Sequence, residues 1–275
     1  FFPEKRPFFL EGIELFATPN QLVYTRQIAN PVAGGKVTAK FGRYNVANLV
    51  AVDEQPSADA VFTITRVRRD IGRNSTLGVT TTTRDQGGTF NRLASSDLRI
   101  VFGKLYYVAG QLGGSWTRDA ANGSARTSPI WEGEFDRTGR SWGFNYKLTG
   151  IGEDFAARAG FVPRDNIVQA HAFNRFSFYG GRGTLVEQIT IFGGPSRIWR
   201  YDGSLKDAIE GGESVESNLY LRGGWRVSAH LRHDFVDFDP GDYTGYSVDG
   251  AGGPVPYSPL DGVPNGFTAN AGLTT

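Results

Sequence analysis

From Trp142 to Leu148 every second residue is large and apolar, with Trp142, Phe144, Tyr146 and Leu148 in one row. Ser141, Gly143, Asn145, Lys147 and Thr149 fill the gaps. Side chains alternate across a β-strand but recur about every 3.6 residues around a helix, so this spacing predicts a strand with one apolar face and one polar face. Just upstream, Trp131, Gly133 and Phe135 alternate with Glu132, Glu134 and Asp136. Arg137, Thr138 and Gly139 supply a tight turn between the two runs, which together read as a hairpin.

The alternation returns at Tyr106, Val108, Leu112 and Trp116, where Gly110 and Gly114 complete the row. It returns again at Leu219, Leu221, Trp225, Val227, Ala229 and Leu231, opposite Asn218, Tyr220, Arg222, Arg226, Ser228, His230 and Arg232. Weaker runs at 22–29, 35–43, 45–52, 58–68, 74–84, 96–102, 167–179 and 184–193 raise the expectation to roughly thirteen strands. Long helices are scarce. Ser204 to Glu210 has the composition for two turns opened by a serine cap, and 240–266 reads as a long loop leading into a strand from Phe267.

The connections are expected to alternate in length. They are short near 43–45, 69–73, 103–104, 137–139, 180–183 and 223–224, and longer at 85–95, 118–126, 151–166, 194–214 and from 237 onward. An antiparallel up-and-down transmembrane β-barrel sorts its connections this way, with tight periplasmic turns and long external loops. A soluble sandwich or propeller accounts for the two faces but has no reason to sort its loops. With a first strand at 22–29 followed by a longer connection, short turns fall after every even strand. That order places the N-terminus in the periplasm and the loops 85–95, 118–126, 194–214 and 237–266 outside.

Composition narrows the function classes. Lys plus Arg number 29 against 28 for Asp plus Glu, so no global basic field points to nucleic acid. Cysteine is absent, which excludes disulfides, thiolate metal sites and cysteine nucleophiles. Methionine is absent too and the sequence begins at Phe1, so it reads as a processed chain or an internal fragment. No run approaches the roughly 18 to 20 apolar residues of a membrane helix, so any crossing is made by strands.

On the strand reading, Glu132, Glu134, Lys147, Arg222, Arg226 and Arg232 fall on the polar face and are expected to line a lumen, with Glu134 near Lys147. Trp116, Trp131, Trp142, Phe144, Tyr146 and Trp225 fall on the apolar face and are expected to form a lipid-facing belt. Carboxylates two residues apart on a strand stand about 7 Å apart, a separation relevant to glycoside hydrolysis. Lys147 and Asn145 on the next strand instead suit a hydrated wall, and no catalytic residue is assigned.

His230 and His233 face opposite sides of one strand, which disfavours a metal site built on them, and His171 is the only other histidine. Asp234, Asp237, Asp239 and Asp242 form an acidic run, with Asp234, Asp237 and Asp239 the weak calcium candidates, but without the glycine-anchored spacing of a known calcium loop. Gly180 to Gly183 reads as a turn, since no helix follows to bind phosphate. No cofactor is expected.

Near the start, Phe2-Pro3-Glu4-Lys5-Arg6-Pro7-Phe8-Phe9-Leu10-Glu11-Gly12 precedes Leu15-Phe16 and then Val23 to Ile28. Together with Val67 to Gly72, Asn74 to Thr76, Asp85 to Arg92, Phe102 to Lys104 and Gly160 to Arg164, this segment resembles a family of largely uncharacterised bacterial outer-membrane proteins. In that family a family-9-like carbohydrate-binding domain precedes a long barrel. The resemblance spans about the first 165 residues and implies a barrel fold, an outer-membrane address, contact with outer-membrane lipid, and a link to glycans through the preceding domain. It supplies no catalytic residues.

Residues 1–21 are accordingly expected to be a leading anchor segment, whose Glu4, Lys5, Arg6 and Glu11 form ion pairs, and 22–275 a barrel region that is itself incomplete. The functional expectation is a channel, docking or transport component. The alternatives are a soluble or surface carbohydrate-binding β-domain and an outer-membrane glycoside hydrolase.

Overall fold

The computed structural model describes residues 2–201, 203–238, 240–259 and 265–275. Its long strands are β1 (Pro31–Phe41), β2 (Tyr44–Asp53), β3 (Ala60–Ile71), β4 (Ser75–Gln86), β5 (Thr89–Phe102) and β6 (Tyr106–Arg118). They continue with β7 (Arg126–Arg137), β8 (Trp142–Ile151), β9 (Ile167–Tyr179), β10 (Val186–Arg200), β11 (Glu210–Leu221) and β12 (Arg226–Val236). A small hairpin, β13 (Ser247–Gly250) with β14 (Gly253–Pro256), precedes β15 (Asn265–Thr274). Apart from that hairpin the strands pair in chain order as a 13-stranded sheet running from β1 to β12 and then β15. The fold is all-β, antiparallel and up-and-down.

Connections at 42–43, 72–74, 103–105, 138–141, 180–185 and 222–225 are short, and those at 119–125, 152–166 and 201–209 are longer. The loop expected at 85–95 is a correction. Gly87 and Gly88, at φ of 54° and 86°, make the two-residue turn whose twist matches paired strands, so β5 begins at Thr89. The strand expected at 22–29 is also absent. Leu22, Thr25 and Ile28 are buried at a spacing of three, and the backbone forms a 3-10 turn at Thr25–Gln27.

With Pro31–Phe41 as the first strand, the short turns at 42–43, 72–74, 103–105, 138–141, 180–185 and 222–225 follow odd-numbered strands, and β1 starts at the other end, which carries the loops 119–125, 152–166 and 201–209 together with the shorter connections 54–59 and 87–88. The strand order that placed the N-terminus beside the tight turns is thereby overturned. Ser204 to Glu210 forms no helix.

The chain divides into two compact units. The first comprises 1–137 and 147–168, the second 138–146 and 169–275. In the first unit the N-terminal segment lies on one face of β1 to β3. A short helix, α1 (Pro7–Leu10), and a 3-10 turn (Ile13–Phe16) bring Phe9, Phe16 and Ile28 onto Ala47, Leu49 and Ala51 of β2 and Ala60, Phe62 and Ile64 of β3. Burying such side chains contributes about 1.5 to 3 kcal/mol each. This covered face is the apolar core of the unit.

Further along the same face an ion pair is buried. Arg66 on β3 crosses β4 to reach Asp97 on β5, with Nη1 donating to Oδ2 at 2.7 Å and Nη2 to Oδ1 at 2.9 Å, while Nη1 also donates to Thr80. Gly78 makes the crossing possible, because a Cβ there would lie 2.8 to 2.9 Å from the Asp97 carboxylate and the Arg66 guanidinium. In the second unit, Gly193 and Gly194 of β10 play a comparable steric part. A Cβ on either would lie 1.9 or 1.8 Å from the carbonyl oxygens of Ser214 and Ala172.

The buried pair yields a stability prediction. Asp97→Ala strands the Arg66 charge and should cost about 3 to 5 kcal/mol. Asp85→Ala, which removes the exposed partner of Arg92, should cost about 0 to 1 kcal/mol. Urea unfolding of the purified protein measures both, and equal effects would contradict the burial argument.

Candidate functional site: the two faces of the strands

Each strand sorts its side chains between the two faces. On β6, Gln111, Ser115 and Thr117 are buried on the covered face while Val108, Leu112 and Trp116 stand exposed on the other. β7 repeats this, with Ser128, Ile130 and Glu132 buried and Phe135 exposed. Across the first unit the open face carries Val50, Val61, Val67, Leu77, Val79, Leu98, Ile100 and Leu112, the last 67% exposed. Near the tight-turn end of that face Phe102, Tyr106 and Phe135 stack with centroids 5.6 to 6.4 Å apart, and the Arg137 guanidinium lies 5.4 Å from the Tyr106 ring centroid.

The second unit has its own version. Ile191, Val215, Leu231 and Leu273 are exposed on one face. On the other, Ser177 shares a hydrogen bond with Thr190 at 3.2 Å, and Arg226 donates to Asn218 Oδ1 at 2.9 and 2.6 Å.

The expected belt residues are placed as follows. Trp116 and Trp142, with Tyr146, are exposed on their strands, and Trp131 is half-buried against Gly150, where a Cβ would collide with its indole. Phe144 lies in the same row but is only 6% exposed, stacked on Tyr146 at 4.7 Å and tilted against Trp142 at 5.3 Å. Phe144 thus keeps its place in the row and is covered by its neighbouring rings. Trp225 lies in the turn at 222–225 rather than on a strand.

Of the expected wall charges, Glu132, Glu134 and Lys147 meet on the covered face of the first unit. Lys147 pairs with Glu132 at 2.9 Å. Asn20 donates to Glu132 at 3.0 Å and to Gln111 at 2.8 Å, and the Thr149 hydroxyl also donates to Glu132. Glu134 accepts from the Tyr107 hydroxyl at 2.8 Å. Arg232 bonds Asp234 on its own strand. Arg222 belongs to the turn, donating to the Gly183 carbonyl, so it is not on a strand wall.

Of the calcium candidates, Asp234 is engaged by Arg232 and Asp239 lies outside the described residues. Among the described residues no three His, Asp or Glu side chains converge on a possible metal position.

The N-terminal segment is held by a compact electrostatic latch. Glu4 Oε1 accepts from Arg6 Nε and from the backbone N–H of Lys5 and Arg6, and Glu4 Oε2 accepts from Arg6 Nη2 and the Thr25 hydroxyl. Arg6 in turn donates to the carbonyls of Ile28 at 2.6 Å and Thr25 at 3.0 Å, and its guanidinium lies over the Phe9 ring. Lys36 of β1 donates to the Glu11 and Phe8 carbonyls. Lys5 and Glu11 are exposed and Pro7 opens α1. The hydrogen bond with Arg6 holds the Glu4 carboxyl far below the ordinary glutamate range, against the opposing effect of burial, and the same bond raises Arg6.

The longer connection expected at 151–166 is present at 152–166, and what the sequence does not show is its path. It folds back onto the covered face instead of extending away: Tyr24 donates to the Ala159 carbonyl, Phe161 to that of Gln21, and Gln27 to that of Gly160. Asn91 secures it by donating to the Ala156 carbonyl and accepting from the Arg158 N–H. The segments 85–92 and 160–164 were the available signal, since Asn91 of the first holds the loop and the second is the part of the loop that bonds Gln21 and Gln27. No protein-family model matches the chain, and no curated protein matches it either.

The latch predicts a pH dependence. A carboxyl whose pKa is lowered on folding contributes stability above its unfolded value, and that contribution is lost as the pH falls through the folded value. Amide protection at Leu22 and Ile28 should persist near neutrality and decline as the pH drops below about 4. Glu4→Gln should lower the protection near neutrality and abolish that decline. Hydrogen exchange corrected for intrinsic rates reads this, and an unchanged profile in the variant would refute the latch.

Proposed function

We propose that the chain is a membrane-embedded part of an outer-membrane β-barrel, acting as a channel, docking or transport component with its N-terminal segment packed on the interior face of the strands. One observation carries the reading: an extended row of exposed Val, Leu and Ile backs, over β4 to β7, onto a face rich in Asn, Gln, Ser, Thr, Asp and Glu, and over β2 and β3 onto the apolar seat of the N-terminal segment. In water so large an apolar surface is a liability. In a bilayer it is a requirement, and the inner strands β2 to β12 can cross there because neighbours on both sides satisfy their backbone groups.

Strands of 10 to 15 residues suit the crossing. The stack of Phe102, Tyr106 and Phe135 with Arg137 suits the interface, where amphipathic rings and cations gather. The resemblance to outer-membrane barrels that follow a carbohydrate-binding domain supports the address and a connection with glycans. The wall charges suit electrostatic control of passage or docking, because Glu132, Glu134 and Arg226 are committed to neighbouring side chains.

Purified protein should partition into detergent and migrate differently on a gel before and after boiling. Leu112→Arg, if near the bilayer midplane, should cost about 2 to 4 kcal/mol of folded stability in lipid. Water solubility without detergent, or tolerance of Leu112→Arg, would defeat the reading. The turns that follow odd-numbered strands should also share one side of the membrane: protease added to intact cells should cut a tag at 119–125 and spare one at 103–105. The reverse pattern would invert the topology.

A further inference from the structure

The loop at 152–166 does more than cover the strands, because it walls a cleft of about 650 Å³ within the first unit. Small-molecule sites occupy roughly 300 to 1,000 Å³. Arg84, Arg158 and Arg164 line the cleft, facing a single lining carboxylate, Asp165, while Phe155, Phe161, Val162 and Pro163 supply an apolar wall.

Arg84 is the informative member. It is half-buried near the end of β4, donates Nη2 to Gln86 Oε1 at 2.6 Å, and sits 5.6 Å from the Phe62 ring centroid. Among the described residues it forms no ion pair. The buried Asp53 acts on it at longer range but is committed to the Asn30 N–H and the Gln55 amide. Arg158 is fixed differently: its backbone N–H donates to Asn91 and its guanidinium pairs with Asp119.

A partly buried guanidinium held in place without a carboxylate, at the wall of a cleft with an apolar side, matches a planar or tetrahedral oxyanion. We infer that this cleft binds an organic anion, with a phosphate or carboxylate on Arg84 and a ring or apolar body against Phe161, Val162 and Pro163. Neither the membrane reading nor the Glu4 latch requires such a site.

The test uses the full chain in detergent micelles, titrated calorimetrically with phenyl phosphate, benzoate and benzyl alcohol. At least one of the two anions should bind, the stronger identifying the preferred head group, and benzyl alcohol should bind about tenfold or more weakly than that anion. Arg84→Gln should weaken anion binding about tenfold or more, Arg84→Lys should retain part of it, and gel heat-modifiability should show both variants folded.

The inference is overturned if neither anion binds, if benzyl alcohol binds as well as the anions, or if folded Arg84→Gln binds like wild type. Should Arg84→Gln fail to fold, inorganic phosphate decides through competition on wild type: displacement of phenyl phosphate supports the site, and its absence overturns it. These measurements are made in detergent, so their failure leaves the membrane reading to stand or fall on its own tests.

Discussion

The alternation of side chains along a strand is the constraint from which the rest follows. A paired strand satisfies its own backbone and leaves each residue one decision, which face to occupy. In β6 that decision separates Val108, Leu112 and Trp116 from Gln111, Ser115 and Thr117 within a single strand. A shift of one residue in register would exchange the two sets, so pairing and face polarity specify one another. The ladders from β1 to β7 keep this register strand by strand, with one irregularity between Pro31 and Ala33.

Polar residues on the covered face need partners, since a buried charge left alone is expensive. The first unit solves this by spanning strands: Arg66 reaches over Gly78 to Asp97, and Lys147 reaches Glu132, which Asn20 also holds. Asn20 belongs to the N-terminal segment, so the ordering of that segment and the satisfaction of the wall are one event. The Glu4 and Arg6 latch, the apolar seat of Phe9 and Phe16 on β2 and β3, and the returning loop from 152 to 166 act together.

The strands, the tight turns and the face to which most side chains belong were legible in the residues, because period two and glycine-marked turns are local signals. What escaped depended on longer range or on competing local signals. Leu22, Thr25 and Ile28 carry a spacing of three that an eye for β-branched residues reads as a strand. Gly87-Gly88 ends a strand in two residues where polar Thr89 and Asn91 suggest a loop. Trp225 continues an alternating row across a turn that interrupts it. The pairing of Lys147 with Glu132, and of Arg66 with Asp97, joins residues of different strands, which no single strand displays.

The absence of native cysteine makes the central claim directly measurable. Single cysteines at Val108, Gln111, Leu112 and Ser115 on β6 can carry spin labels in protein reconstituted into lipid vesicles. Labels at 108 and 112 should be relaxed by lipid-soluble oxygen and shielded from a water-soluble nickel complex, while labels at 111 and 115 should be shielded from oxygen. Equal access of the nickel complex to 108 and 112, with no alternation along the strand, would contradict a lipid-facing row.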